Sequence, residues 1–209
     1  MRKLLIALLL RGSIGIACAG AYEDILVAAN NDDTATVVSL LQRGMDVNTS
    51  DQSGTTLLMI ASRTGNVPLL QALLARRASV NRRNQHGDTA LLMAALKPDL
   101  EVAKLLIANG ADLNPSGWAP LHYAIFSGSK EVAALLIAKG AKLDSRAPNG
   151  KTALMLAVKQ GKFELVQVMA QAGADKNLAD EDGLTALGLA KKLDEADIVK
   201  YLRKVGAVE

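Results

Sequence analysis

Reactive chemistry in this chain of 209 residues would have to start from two histidines, His86 and His122, and one cysteine, Cys18. A nucleophilic centre needs a hydroxyl or thiol within reach of a base that a third group orients. A metal centre needs several His, Cys, Asp or Glu side chains at close ligand spacing. Here the candidates stand singly, and no cluster of His, Asp and Glu has that spacing. Nor do the glycines form a phosphate-cradling loop, because they recur one at a time at an even interval. The residues point to no active site, no cofactor and no metal. What remains is recognition.

That interval identifies the elements that would carry a recognition surface. Glycines open successive segments at Gly54, Gly87, Gly117, Gly150 and Gly183, in steps of 33, 30, 33 and 33. Alanines follow at Ala28, Ala61, Ala94, Ala124, Ala157 and Ala190 with the same steps. Closing positions fall at Gly44, Arg77, Gly110, Gly140, Gly173 and Gly206. Between them lie two short apolar stretches at helical spacing, of which Val132 to Ala138 is one. A period near 33 residues predicts stacked helix pairs, each touching only its neighbours. Aromatic residues make up only 3% of the chain. Thin layers of Ala and Leu suit that better than one bulky core.

Within this register, Pro120-Leu121-His122-Tyr123-Ala124 and Gly110-Ala111-Asp112-Leu113-Asn114 resemble the ankyrin repeat. The resemblance covers residues 22–209. It implies an all-α solenoid of six helix-turn-helix units joined by short β-hairpin-like fingers. The units are expected at about 21–49, 50–80, 81–113, 114–143, 144–176 and 177–209. It also gives His122 a structural role, hydrogen-bonding neighbouring loops. Arg77 replaces a closing glycine, so a left-handed residue there would cost about 1 kcal/mol relative to Gly. Pro98 replaces the inter-helix glycine found as Gly65, Gly128 and Gly161. The three-residue deletion behind the single 30-residue step lies between Gly110 and Gly117, so the finger before Trp118 is expected to be shorter than its siblings.

The ends differ from the middle. Met1-Arg2-Lys3, the apolar run Leu4 to Leu10 and the small-residue sites Ala17-Cys18-Ala19 and Ala19-Gly20-Ala21 read as a cleavable secretory signal over residues 1–19, cut after 19 or 21. Gly15 stands where a lipoprotein signal would carry Leu, so anchoring through Cys18 is the lesser reading. Cleavage would leave a mature chain without a thiol, and the expected compartment is the periplasm. Removing Arg2, Lys3 and Arg11 from the 24 basic residues leaves 21, equal to the 21 acidic ones. A neutral chain without interleaved aromatics gives no reason to expect nucleic acid. No other stretch is long and apolar enough to span a membrane. At the far end, Lys200, Arg203 and Lys204 replace the apolar stacking positions, which ends the array.

The resemblance implies a concave binding surface made of finger tips and first-helix edges. On the tips it selects His86, Asp88, Trp118 and Lys151. On the helix edges it selects Arg63, Leu96, Phe126 and Lys159. Leu96, Trp118 and Phe126 are large apolar residues where solvent is expected, and such anchors are enriched in binding hot spots. Trp118 has two readings here: a partner contact, or a plug for the shortened finger. The function expected is non-enzymatic binding of another periplasmic or secreted protein by a monomer. One form of it is an inhibitor or immunity-type partner of a cell-envelope enzyme. The other is an accessory scaffold or chaperone for a periplasmic enzyme, for example in oxidative defence.

Overall fold

The first helix of each inner repeat has almost no wet side. In α3 (Leu57–Thr64) every residue from Leu57 to Ser62 is buried, and in α9 (Ala153–Lys159) so is every residue from Ala153 to Val158. A helix that is apolar all round is stable only when it is covered on all sides. The second helices are one-sided. Leu69, Leu70 and Leu73 are the buried residues of α4 (Val67–Ala75), and Val132, Ala133 and Leu136 those of α8 (Lys130–Ala138). Fully burying each such leucine contributes about 1.5–3 kcal/mol.

These helices come from a computed structural model, which describes residue 20 and residues 22–208. The expected signal segment lies outside the described residues. The order is α1 (22–30), α2 (Thr34–Gln42), α3, α4, α5 (Ala90–Leu96), α6 (Leu100–Ala108), α7 (Pro120–Ser127), α8, α9, α10 (Phe163–Gln171), α11 (Ala186–Lys192) and α12 (Ala196–Lys204). The chain is all-helical and repetitive, with pairs in serial order, as the period predicts. Extended structure among the described residues is confined to two isolated antiparallel bridges, Ser50–Thr56 and Ala179–Thr185, which close finger turns. No helix among the described residues is long and apolar enough to cross a membrane.

The chain divides into two compact units, one ending at Ala90 and one beginning at Leu91. In the first, Asn66 caps α4 by accepting from the Leu69 N–H at 2.9 Å, and its amide nitrogen donates to Asp32 Oδ1 at 3.2 Å. Arg77 has φ +60, where the equivalent Gly44 has φ +97. The replacement therefore does sit in the left-handed region. So does Asp32, at φ +58.

In the second unit, α7 packs on α8 and α9, and α9 packs on α10 and α11. The Asn114 side chain accepts from the Lys142 N–H at 2.7 Å, Asp144 from Asp175 at 2.9 Å, and Asn177 from Val208 at 2.9 Å. These are rungs between successive loops, and Asn48 makes the same rung to Ser79 in the first unit at 2.8 Å. The finger between α6 and α7 has eleven residues, against fourteen between α8 and α9. The expected short finger is real.

Candidate partner-binding face

Three of the fingers are built on one side-chain trick. Asp51 Oδ1 accepts from the N–H groups of Ser53 and Thr55, each at 2.9 Å. Asn84 Oδ1 does the same for His86 and Asp88, and Asp180 Oδ1 for Asp182 and Leu184. A short polar side chain that bonds its own backbone fixes a tight turn. Burial raises the Asp51 carboxyl, but hydrogen bonds from Ser53 and Thr55 outweigh it and hold the pKa below the ordinary carboxylate value. Asp180 is held low first by the Lys151 ammonium.

Among the sequence-selected residues of the first unit, His86 is exposed at a finger tip and Asp88 is half-buried in the same turn. The Asp88 carbonyl accepts from the Asn84 N–H at 3.0 Å, so part of its role is to close the finger. Arg63 is exposed at the end of α3 and donates to Asn30 Oδ1 at 2.7 Å. It ties the edge of α3 to that of α1.

The second unit holds the other five. Lys151 is half-buried and paired with Asp180, whose carboxylate is almost wholly covered. It is a structural strut between two fingers. Trp118 is half-buried, with its ring edge-on to His122 at 5.8 Å and tilted against Tyr123 at 5.8 Å. It leans over the start of α7 beside the shortened finger, the arrangement a plug would adopt. Leu96 and Phe126 stand differently. They end α5 and α7 and remain 43% and 59% exposed. Lys159 is exposed at the matching place on α9, and Lys192 on α11.

Two contacts that spacing did not reveal hold this edge together. Ser127 Oγ donates to the Ala95 carbonyl at 2.9 Å, joining the ends of α7 and α5. Lys162 Nζ donates to the Phe126 carbonyl at 2.8 Å and to that of Ile125 at 3.3 Å. It satisfies carbonyls that a helix leaves unpaired at its C-terminus. Position 162 is the N-cap of α10, where the four earlier repeats carry Asp33, Asn66, Asp99 or Ser129. The break in that polar series was the available signal.

His122 organises the fourth repeat. Thr152 and Thr185 cap α9 and α11 with their hydroxyls, but Ala119 occupies that place before α7. The start of α7 is held by the reciprocal bond, in which the Ala119 N–H donates to His122 Nδ1 at 3.0 Å. Nε2 then donates to the Ser145 carbonyl at 2.9 Å, in the next loop. Both nitrogens are committed and the ring is neutral. Burial pushes its pKa below the ordinary value, against the opposing bond to Ser145.

A family model described as ankyrin repeats, in three copies, matches residues 25–116, 61–147 and 143–208. The chain belongs to the ankyrin repeat family. A search of the curated proteins gave no match. Ankyrin repeat arrays are interaction modules for other proteins, and the shared fold fixes no particular partner. Among the described residues, no group of three or more His, Cys, Asp or Glu is placed to hold a metal ion.

Proposed function

We propose that this ankyrin array is exported and binds a partner protein along its first-helix edges. There it acts as an inhibitor or immunity-type partner of a cell-envelope enzyme. The observation that carries the binding reading is the exposure of Leu96 and Phe126 at matching positions of successive repeats, 43% and 59%. Large apolar side chains left in water at the same register on neighbouring elements are the usual anchors of an interface. Export rests on the basic start, the apolar run and the small-residue cleavage sites before Tyr22.

Two measurements test the proposal. Fractionation of cells expressing the full chain, followed by N-terminal sequencing, should place the protein in the periplasm with Gly20 or Tyr22 as its first residue. A full-length chain retained in the cytoplasm would overturn export. Capture from an envelope extract should recover a partner with wild type and much less with Phe126→Ala. A captured enzyme should lose turnover on adding the purified array. If its turnover is unchanged or raised, the array is an accessory scaffold instead.

A further inference from the structure

The helix-edge row of the second unit carries its own description of what it binds. The second and third residues after each first-helix alanine are Leu96 and Lys97, Phe126 and Ser127, Lys159 and Gln160, and Lys192 and Leu193. Three lysines lie among them and no carboxylate. Apolar exposure is greatest at Phe126, 59%, and recurs at both ends of the row, at Leu96, 43%, and Leu193, 42%. Lys97, Lys159 and Lys192 are all exposed, so cations also run the length of the row. Of the carboxylates near in sequence, Asp99 caps α6 through the N–H groups of Glu101 and Val102, Glu195 reaches back over Gly161, and Asp180 is paired with Lys151. Asp194, in the turn after α11 at φ +58, is exposed.

The row is held as one surface. Ser127 bonds Ala95, Lys162 bonds the Phe126 carbonyl, and α9 packs on both α7 and α11. Apolar and cationic side chains are therefore interspersed along it. We infer that the partner presents an extended segment carrying large apolar side chains together with carboxylates, laid along this row. This rests on the protein-binding reading above and adds the chemistry of the bound segment. The lysines bring the carboxylates in from solution, and the apolar side chains supply the buried contact. Phe126 is the only exposed aromatic in the row, so a stacked single-stranded nucleic acid fits it less well than a peptide.

The test is selection of a random-peptide display library on the immobilised protein, counter-selected on Phe126→Ala and on the double variant Lys159→Glu/Lys192→Glu. Enriched peptides should carry large apolar residues together with Asp or Glu. A labelled consensus peptide should bind at least about tenfold more weakly to each variant, a loss of about 1.4 kcal/mol. Its affinity should fall with added salt, and a Lys-for-Glu version should prefer the charge-swapped protein. Circular dichroism of the variants should match wild type, since all three side chains are exposed. Enrichment without acidic residues, indifference to the charge swap, absence of any enrichment, or tighter binding of a labelled single-stranded oligonucleotide overturns the inference. Envelope capture that depends on Phe126 but ignores the charge swap would overturn only the acidic segment and leave the binding face standing.

Discussion

At the scale of single residues, His122 is the side chain on which most depends. It accepts from the Ala119 N–H at the start of α7 and bridges to Ser145 in the following loop. We expect His122→Ala to cost about 2–4 kcal/mol, by loss of buried volume and two hydrogen bonds, measured by urea denaturation. The ring also sets a pH dependence. Its folded pKa is depressed by burial, while in the unfolded chain it titrates near 6.5. Below that pH the unfolded state takes up a proton that the folded state resists. Stability should be complete above about 6.5 and fall as the pH drops below it. His122→Gln should flatten this part of the profile. A separate loss, below the carboxylate value of 3.8, belongs to Asp180 and Asp51, whose folded pKa values are lowered. Arg77 offers the opposite change. At φ +60, Arg77→Gly should stabilise by about 1 kcal/mol, visible as a higher denaturation midpoint. Trp118 was open between two roles in the sequence, and its ring packing on His122 and Tyr123 favours the plug. Trp118→Ala should therefore lower stability by about 1–2 kcal/mol. An unchanged midpoint with weakened partner capture would make it a contact after all.

At the scale of elements, the joints between helices matter more than the helices. An isolated helix of seven to nine residues is not stable in water, so each depends on caps and neighbours. The turn after α7 shows how tightly a joint can be specified. Gly128 has φ +87, and a Cβ there would meet Lys162 Nζ at 2.9 Å, where that amine caps the same helix. Gly128→Ala should cost about 1–2 kcal/mol by combining left-handed strain with displacement of the cap. Lys162→Ala in the same background separates the two terms, because it removes the steric conflict and leaves the strain. If the double variant is no worse than Lys162→Ala alone, the backbone conformation carries no cost there. The period made the glycine slot legible. It did not reveal that Asp32 and Asp194 fill the same slot in the first and last repeats, at φ +58 each, because Asp tolerates the left-handed region less often than Gly.

For the whole molecule, repetition decides how stability is distributed. Each repeat is buried by its neighbours, so the energy is close to a sum of repeat and interface terms. The last helix, α12, buries Ile198 and Leu202 on one side and presents Lys200, Arg203 and Lys204 as exposed residues. That side of α12 is wet and cationic. Truncation before residue 177 removes α11 and α12 and uncovers the apolar side of α9 that packs on α11. The shortened chain should keep helical circular dichroism but lose solubility, seen as rising light scatter at a concentration where wild type stays clear. A truncated chain that remained monomeric and equally stable would contradict the capping role.

Sequence and structure divided the work along a physical line. Spacing determined the stacked helical pairs and the short finger before Trp118, because a stacked array repeats its constraints at a fixed interval. The motifs at Pro120–Ala124 and Gly110–Asn114 carried the family resemblance, and that resemblance marked the residues considered for binding. It did not tell which of them were free to bind, because that depends on what another repeat sends across. Tertiary contacts alone decided that Lys151 is spent on Asp180 and that Trp118 lies against His122. They also showed that Leu96 and Phe126 remain in water. Periodicity fixes where a side chain starts, and only packing fixes whether anything already covers it.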